Sequence, residues 1–372
     1  MALGLTPEHL ELAAAVRGWA ERHCPVDVPR AASGQPDGGG QQYRDTLGPS
    51  LAAQGVLGLH LPEKHGGQGY GLPELAVAIE ELGRALLHGP HLDTLTAAAL
   101  VAAAGPSPLL DRLTSGELPA ALGPPGPVRG RRDAEPVLSG GRLEGTVPFV
   151  GWAASVALLV LGARDAAGEP LLLAVPLPAE GVELRRQDEI SRGELYEARL
   201  AGVPVPPESV LLRGGAATAA WRAATPAARL RHAAYLVGMA QGALDATLEF
   251  VRRRQAFGRR LGSFQSLAFR LAALHARIDA VRLFVRAVAW GPDGAEMELR
   301  AHQAHGLAVE VADDAATEGL QMHGAYGLTE AAAIQRYYRH CAMERARLGR
   351  PADVRADMRA AFVRLRAAAQ PE

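Results

Sequence analysis

Only two cysteines, Cys24 and Cys341, occur in 372 residues, far apart in the chain. A secreted disulfide scaffold needs more. No Cys-x-x-Cys pair or His/Cys cluster is present, which argues against a structural zinc site. The formal net charge is only -1. That balance gives no sign of a nucleic-acid partner or an acidic membrane surface. No apolar run reaches the ~18–20 residues that span a bilayer. A basic segment followed by an apolar one, the mark of an export signal, is missing at the N-terminus. The expectation is a cytoplasmic, reduced protein. No internal repeat is visible.

What the sequence does contain is ordinary for a globular chain: 48% hydrophobic and 21% charged residues. Its length fits two or three packed units. Three stretches differ in pattern. Residues 1–118 read as an N-terminal helical domain. Leu12, Val16 and Trp19 recur at helical spacing, and Thr6-Pro7-Glu8 makes a helix start. Residues 33–40 are Gly-rich and read as a mobile loop. A second helix covers 72–86, with Leu75, Ile79 and Leu82 on one face and Glu80 and Glu81 off it. Residues 119–214 read as a small β domain. Short apolar runs at 156–161 and 171–175 are separated by turn signals at Gly140-Gly141 and 165–168.

From 215 to 372 the helical period returns. Leu230, Ala234, Val237, Gln241, Leu244 and Leu248 share a face, and Gly238 and Gly242 allow a neighbouring helix close. Leu267, Leu271, Leu274, Ile278 and Val281 mark a second helix. A third is expected over 306–320 and a fourth over 331–342, which together make a bundle. The order helices, strands, helices gives an α+β fold class, not a βαβ array. The run Arg252-Arg253-Arg254 reads equally well as a solvated helix end or a binding group.

Four segments carry a resemblance to the acyl-CoA dehydrogenase flavoprotein family. Residues 51–86 contain Pro-Glu-x-x-Gly-Gly-x-Gly before a helix ending Glu-Glu-Leu-Gly. Residues 203–211, VPVPPESVL, resemble the exit of the family's central β domain. Residues 252–272 match Arg-x-x-Phe-Gly-x-x-Leu-x-x-Phe-Gln. Residues 318–340 resemble the Gln-x-x-Gly-Gly-x-Gly segment with its Arg-rich helix. One such loop is weak evidence, but four in family order are specific.

The resemblance implies FAD, a coenzyme A thioester as substrate, and a dimer or tetramer. It further implies an electron acceptor such as an electron-transfer flavoprotein. In the family a Glu carboxylate removes the α-proton and hydride passes to the flavin. The flavin lies across a subunit interface, so its two halves can be followed separately. On the adenosine and pyrophosphate side, Arg254, Phe257, Gln265, Gln321 and Gly324 match the family's cofactor-binding residues, with Ala325 where a second Gly is usual. On the ring side, the family's Thr-Glu-Pro-x-x-Gly-Ser loop falls at 121–127, where the sequence reads ALGPPGP. Phe149-Val150-Gly151 replaces Trp-Ile-Thr/Ser; Phe149 keeps an aromatic ring but the hydroxyl is lost.

Both positions the family uses for its base lack a carboxylate: one is Leu348, the other Ala228. Arg229 persists, either facing the nucleotide end of the thioester or capping its helix. Pro226 replaces a family Asp. Glu330, His323 and Glu344 are the nearby substitutes for a base, with Glu330 and Glu344 expected to face solvent. Loss of one half of the site and retention of the other points to a partner subunit. Such a subunit would complete the FAD site of a second, base-bearing family chain. The alternatives are a self-sufficient or oxygen-using flavoenzyme with a relocated base, and a flavin-free scaffold subunit.

Overall fold

The computed structural model describes residues 4–24, 42–123, 135–191, 193–291 and 294–368. The loop expected at 33–40 and residues 124–127 of the ring-side segment lie outside the described residues. In chain order come five helices: α1 (Pro7–His23), α2 (Gly48–Ala53), α3 (Leu72–Arg84), α4 (His91–Ala103) and α5 (Pro108–Thr114). Eight strands follow: β1 (Ala120–Leu122), β2 (Val137–Ser139), β3 (Arg142–Gly151), β4 (Leu158–Asp165), β5 (Pro170–Pro176), β6 (Val182–Arg186), β7 (Leu195–Pro204) and β8 (Val210–Arg213). Then come α6 (Gly214–Arg253), a hairpin of β9 (Gln255–Ala256) and β10 (Arg259–Arg260), α7 (Gln265–Ala289), α8 (Ala295–His323), α9 (Ile334–Glu344) and α10 (Pro351–Ala368). The order is the α+β one read from the sequence.

These elements pack as two compact units, where the sequence suggests three successive domains. One is drawn from Met1–Ala32, Gly71–Leu87 and Pro226–Glu372, and the other from Ser33–Tyr70 and His88–Thr225. The N-terminal helices divide between them because their apolar faces are buried against different partners. In the second unit the strands form one sheet in the order β6-β7-β3-β2-β4-β5-β8, with β1 pairing β4 in parallel. Both faces of this sheet are covered. Leu159 and Leu161 of β4 join a core with Val147, Leu171 and Leu200. Leu158 and Val160 face the other way, into a core with Ala97 and Val101 of α4, Leu110 and Leu113 of α5, and Ala217 of α6. Burial on both sides explains why β4 reads as a continuous apolar run and not as an alternation.

The helical unit is held by close backbone approach as well as by apolar stripes. Thr6 caps α1, accepting a hydrogen bond from the His9 amide at 3.4 Å, and Pro7 opens the helix. A Cβ on Gly83 of α3 would lie 2.0 Å from the carbonyl oxygen of Tyr235 on α6. Reciprocally, one on Gly238 would lie 1.9 Å from the carbonyl of Glu80. The two backbones touch through a pair of glycines, so Gly238 serves packing. Glu80 and Glu81 are not free on a solvent face. Arg282 donates to Glu80 at 2.6 Å, and Arg17 grips the buried Glu81 with two bonds of 2.6 and 2.8 Å.

The third bundle helix starts at Ala295, not near Gly306, and α10 extends the bundle beyond the four expected helices. Gly306 continues the helix because a single glycine lowers helix stability by only ~1 kcal/mol. Cys24 and Cys341 are both buried. Among the described residues, no helix is long and apolar enough to cross a membrane.

Candidate functional site

The adenosine-side residues gather at one end of the helical unit. α6 closes with Arg252 and Arg253, both exposed, and the amide of Arg254 still donates to the carbonyl of Phe250 at 2.8 Å. β9 and β10 then pair with Ala256 opposite Arg259, leaving Phe257-Gly258 as a two-residue turn. Both turn residues have positive φ, 52° and 77°. That is the backbone of a type I′ hairpin, which favours Asn or Gly at its first position. Phe257 occupies that position with 95% of its surface exposed.

Arg259 lies over the Phe264 ring at 3.9 Å, and Gln265 opens α7 on the surface. Gln321, also exposed, sits in the last turn of α8. Gly324 ends that helix at φ 59° and ψ -147°, a region open almost only to glycine, and an added Cβ there would meet nothing within 4 Å. Cross-links bring these pieces together. Phe250 stacks on His323 at 4.1 Å, and Arg270 of α7 pairs with Glu318 of α8. The guanidinium of Arg254 has no ion pair among the described residues, so its planar fork is available to a phosphate. An exposed cation, an exposed aromatic ring and an open glycine turn suit the pyrophosphate and adenine of a dinucleotide.

The turn containing Leu348 is tied to the helix that carries Ala228. Arg229, next to Ala228, donates to the carbonyl oxygen of Leu348 from Nε at 3.2 Å and from Nη2 at 3.0 Å. The same guanidinium pairs with Asp357 at 2.8 Å and meets Nδ1 of His302 at 3.1 Å. It is 3% exposed. The fork of Arg229, on sequence grounds either a substrate contact or a helix cap, is engaged inside the protein and fixes the turn containing Leu348. Ala228 is buried and Leu348 half-buried.

The substitutes for a base fare as follows. Glu330 is exposed, four residues ahead of α9. His323 is buried, hydrogen-bonded to the Gly319 carbonyl at 2.7 Å, and burial lowers its basicity. Glu344, expected in solvent, is 5% exposed, and its Oε2 meets Nε2 of His232 at 2.9 Å. The sequence reading missed this because the partner histidine is 112 positions away and Glu344 sits among arginines.

On the ring side, in the sheet unit, Phe149 lies where the β3–β7 register shifts, at φ 58° and 58% exposed. Trp152 follows at φ 62°, buried against the edge of His88 at 4.6 Å. Ser155 donates to Glu194 at 2.7 Å. A Cβ on Gly151 would stand 3.8 Å from Oδ2 of Asp93, a buried acid that sequence reading did not single out. Of the 121–127 segment, Gly123 donates to the Val160 carbonyl at 2.8 Å, and a Cβ there would lie 2.8 Å from the side chains of Leu161 and Val147. The described ring-side residues thus offer an exposed aromatic ring and no hydroxyl at position 151. The adenosine-side set fits FAD, and the ring-side set fits it poorly.

Residues 6–107 match the acyl-CoA dehydrogenase N-terminal domain and residues 215–352 the C-terminal domain. The chain belongs to the acyl-CoA dehydrogenase family of oxidoreductases, whose cofactor is FAD. It is 30% identical over 289 residues to the acyl-CoA dehydrogenase IpdE2 of Mycobacterium tuberculosis, covering 77% of each chain. It is 32% identical to CarC, a subunit of the caffeyl-CoA reductase-Etf complex of Acetobacterium woodii, over 114 residues that span 30% of each. Among solved structures, the Tcur3481-Tcur3483 steroid acyl-CoA dehydrogenase variant superimposes with a TM-score of 0.82 at 27% identity, covering 97% of this chain and 99% of that one.

Proposed function

We propose that this chain takes part in FAD-dependent α,β-dehydrogenation of an acyl-CoA thioester as the partner subunit of a heteromer. It lends Arg254, Phe257, Gln265, Gln321 and Gly324 to a flavin whose ring is seated in a second family chain, and that chain supplies the carboxylate base. When bound, the flavin accepts the hydride, and an electron-transfer flavoprotein is the expected next acceptor. This chain's own residues bind and orient. Arg254 neutralises pyrophosphate charge, Phe257 covers the nucleotide, and the Gly324 turn lets it approach the backbone.

The observation that carries the reading is Phe257. A bulky residue held in the left-handed region costs about 1–2 kcal/mol, and the edge contact of this ring with Phe264 at 6.4 Å still leaves it 95% exposed. Strain of this kind clusters at ligand-binding positions. The joint absence of a carboxylate at Ala228 and at Leu348 supports the same division of labour. So does the likeness to the Tcur3481-Tcur3483 steroid acyl-CoA dehydrogenase variant, which is named for two components.

Expression of the chain alone tests the proposal. It should carry well under one flavin per chain and turn over no acyl-CoA thioester with an artificial acceptor. A homo-oligomer with one FAD per chain and thioester activity would overturn it in favour of a self-sufficient enzyme.

A further inference from the structure

Besides the flavin surface, the helical unit contains a buried polar ladder that the proposed function does not use. Two rungs cross it. In the first, Nε2 of His305 on α8 meets Nδ1 of His232 on α6 at 2.9 Å, and Nε2 of His232 meets Glu344 on α9 at 2.9 Å. In the second, His302 on α8 meets Arg229 on α6, which holds the Leu348 carbonyl and Asp357 on α10. The rungs are three residues apart on both α6 and α8, so one helical turn separates them. All four side chains on α6 and α8 are at most 3% exposed. Together the rungs fasten the 345–350 turn and the start of α10 to the middle of the bundle.

The second rung dictates a protonation state. Arg229 can only donate, so Nδ1 of His302 must be unprotonated to accept from it. Glu344, beside Arg347 at 3.1 Å, accepts from Nε2 of His232. Nδ1 of His232 and Nε2 of His305 share a hydrogen bond, and Nδ1 of His305 has no hydrogen-bond partner among the described residues. A proton on His302 would remove the acceptor of Arg229 and set two cations 3.1 Å apart.

The other charges around the ladder do not reverse this. Arg229 faces it from α6, Glu344 from α9, and Arg347, paired with Glu344, from the turn. From α10 come Asp357, already paired with Arg229, and Arg364, paired with Glu298 of α8 at 2.5 Å. Asp353 is held by Arg350 at 2.9 Å.

We propose that the two rungs form an acid-released latch, closed at neutral pH, that holds the 345–350 turn and α10 against the helical unit. Burial and Arg229 push His302 down to about 4, and burial pushes His305 well below the ordinary histidine range. Both histidines are therefore more basic once the segment opens. The open state binds more protons below about pH 6.5, so closure weakens as pH falls through that value, with the His302 contribution levelling off below about 4. The proposal is independent of the flavin reading.

Amide hydrogen exchange on the full-length wild-type chain tests it, with protection corrected for the intrinsic rate at each pH. Between pH 7 and 5, peptides from 345–368 should lose protection by roughly twentyfold from His302 alone. β4 and β5 of the sheet unit should change far less. His302→Gln with His305→Gln, which keeps hydrogen-bonding capacity without titrating, should remove most of that dependence. His275→Gln, at an exposed histidine outside the ladder, should leave it intact. Parallel loss in both units, or an unchanged profile in the double variant, would overturn the latch. Should the double variant fail to fold, the wild-type titration of His302 by imidazole NMR decides: a midpoint near 6.5 in the folded chain contradicts the proposal, and one well below supports it.

Discussion

Phe257 and Leu348 mark opposite poles of the account at the scale of single residues. The first is strained and exposed, waiting for something to cover it. The second stands where a carboxylate would act, and Arg229 holds its carbonyl. Adding the missing group should therefore not restore chemistry. An ionised Glu at 348 would sit beside the guanidinium of Arg229, which favours its charged form and weakens it as a base. A base also works only when held against a positioned substrate, since misplacement by about 1 Å can cost ~100-fold. Leu348→Glu should give no thioester dehydrogenation by the isolated chain in an artificial-acceptor assay. Clear turnover would mean that an intact flavin pocket exists and that the ring-side reading of 121–151 is wrong.

The residues on the adenosine side were legible because they form one contiguous motif: Arg254, Phe257 and Gln265 lie within twelve positions. The buried ladder was not. Its members come from four helices, and each alone looks like an ordinary polar residue. Glu344 in the run Glu-Arg-Ala-Arg has the local character of a solvated face. Only tertiary contact with His232 shows otherwise. The one clue was the i, i+3 spacing of Arg229 and His232, repeated by His302 and His305.

Helices and strands were legible in proportion to the regularity of their apolar pattern. α7 shows its stripe plainly, and Leu271, Leu274 and Ile278 are all buried. The first turns of α8 are masked because the residues facing inward there include His302 and His305, which a hydropathy pattern counts as polar. Gly306 then imitates a boundary. Its position inside the helix makes a prediction. A Cβ at Gly306 meets nothing within 4 Å, whereas one at Gly238 strikes a backbone carbonyl at 1.9 Å. Gly306→Ala should raise stability by about 0.5–1 kcal/mol through helix propensity. Gly238→Ala should lower it by about 3 kcal/mol or more, since overpacking against backbone cannot relax by a rotamer change. Urea midpoints followed by circular dichroism compare the two. Equal shifts of the same sign would contradict the close approach of α3 and α6.

At the scale of the whole chain, the sequence order of helices, strands and helices set the fold class, but the packing units do not follow it. α1 and α3 belong with the C-terminal helices, while α4 and α5 cover the sheet. That regrouping depends on contacts such as Gly83 with Tyr235, between residues some 150 positions apart, which no local pattern reveals. The division of the flavin surface belongs to this scale too. In the proposed division, the groups assigned to the adenosine side are exposed in the helical unit, those assigned to the ring side lie in the sheet unit, and neither usual base position has a carboxylate.

The central claim is that this chain serves a flavin held by another. Its most direct test is Arg254→Ala in a complex reconstituted with a base-bearing family chain, with bound flavin titrated by absorbance after dialysis. A charge-assisted bond to pyrophosphate is worth about 1.5–3 kcal/mol, so FAD affinity should fall by roughly one to two powers of ten. Arg254→Lys should recover only part, because an ammonium lacks the planar fork. Full flavin occupancy with unchanged affinity in Arg254→Ala would contradict the account and leave this end of the bundle as ordinary helix surface.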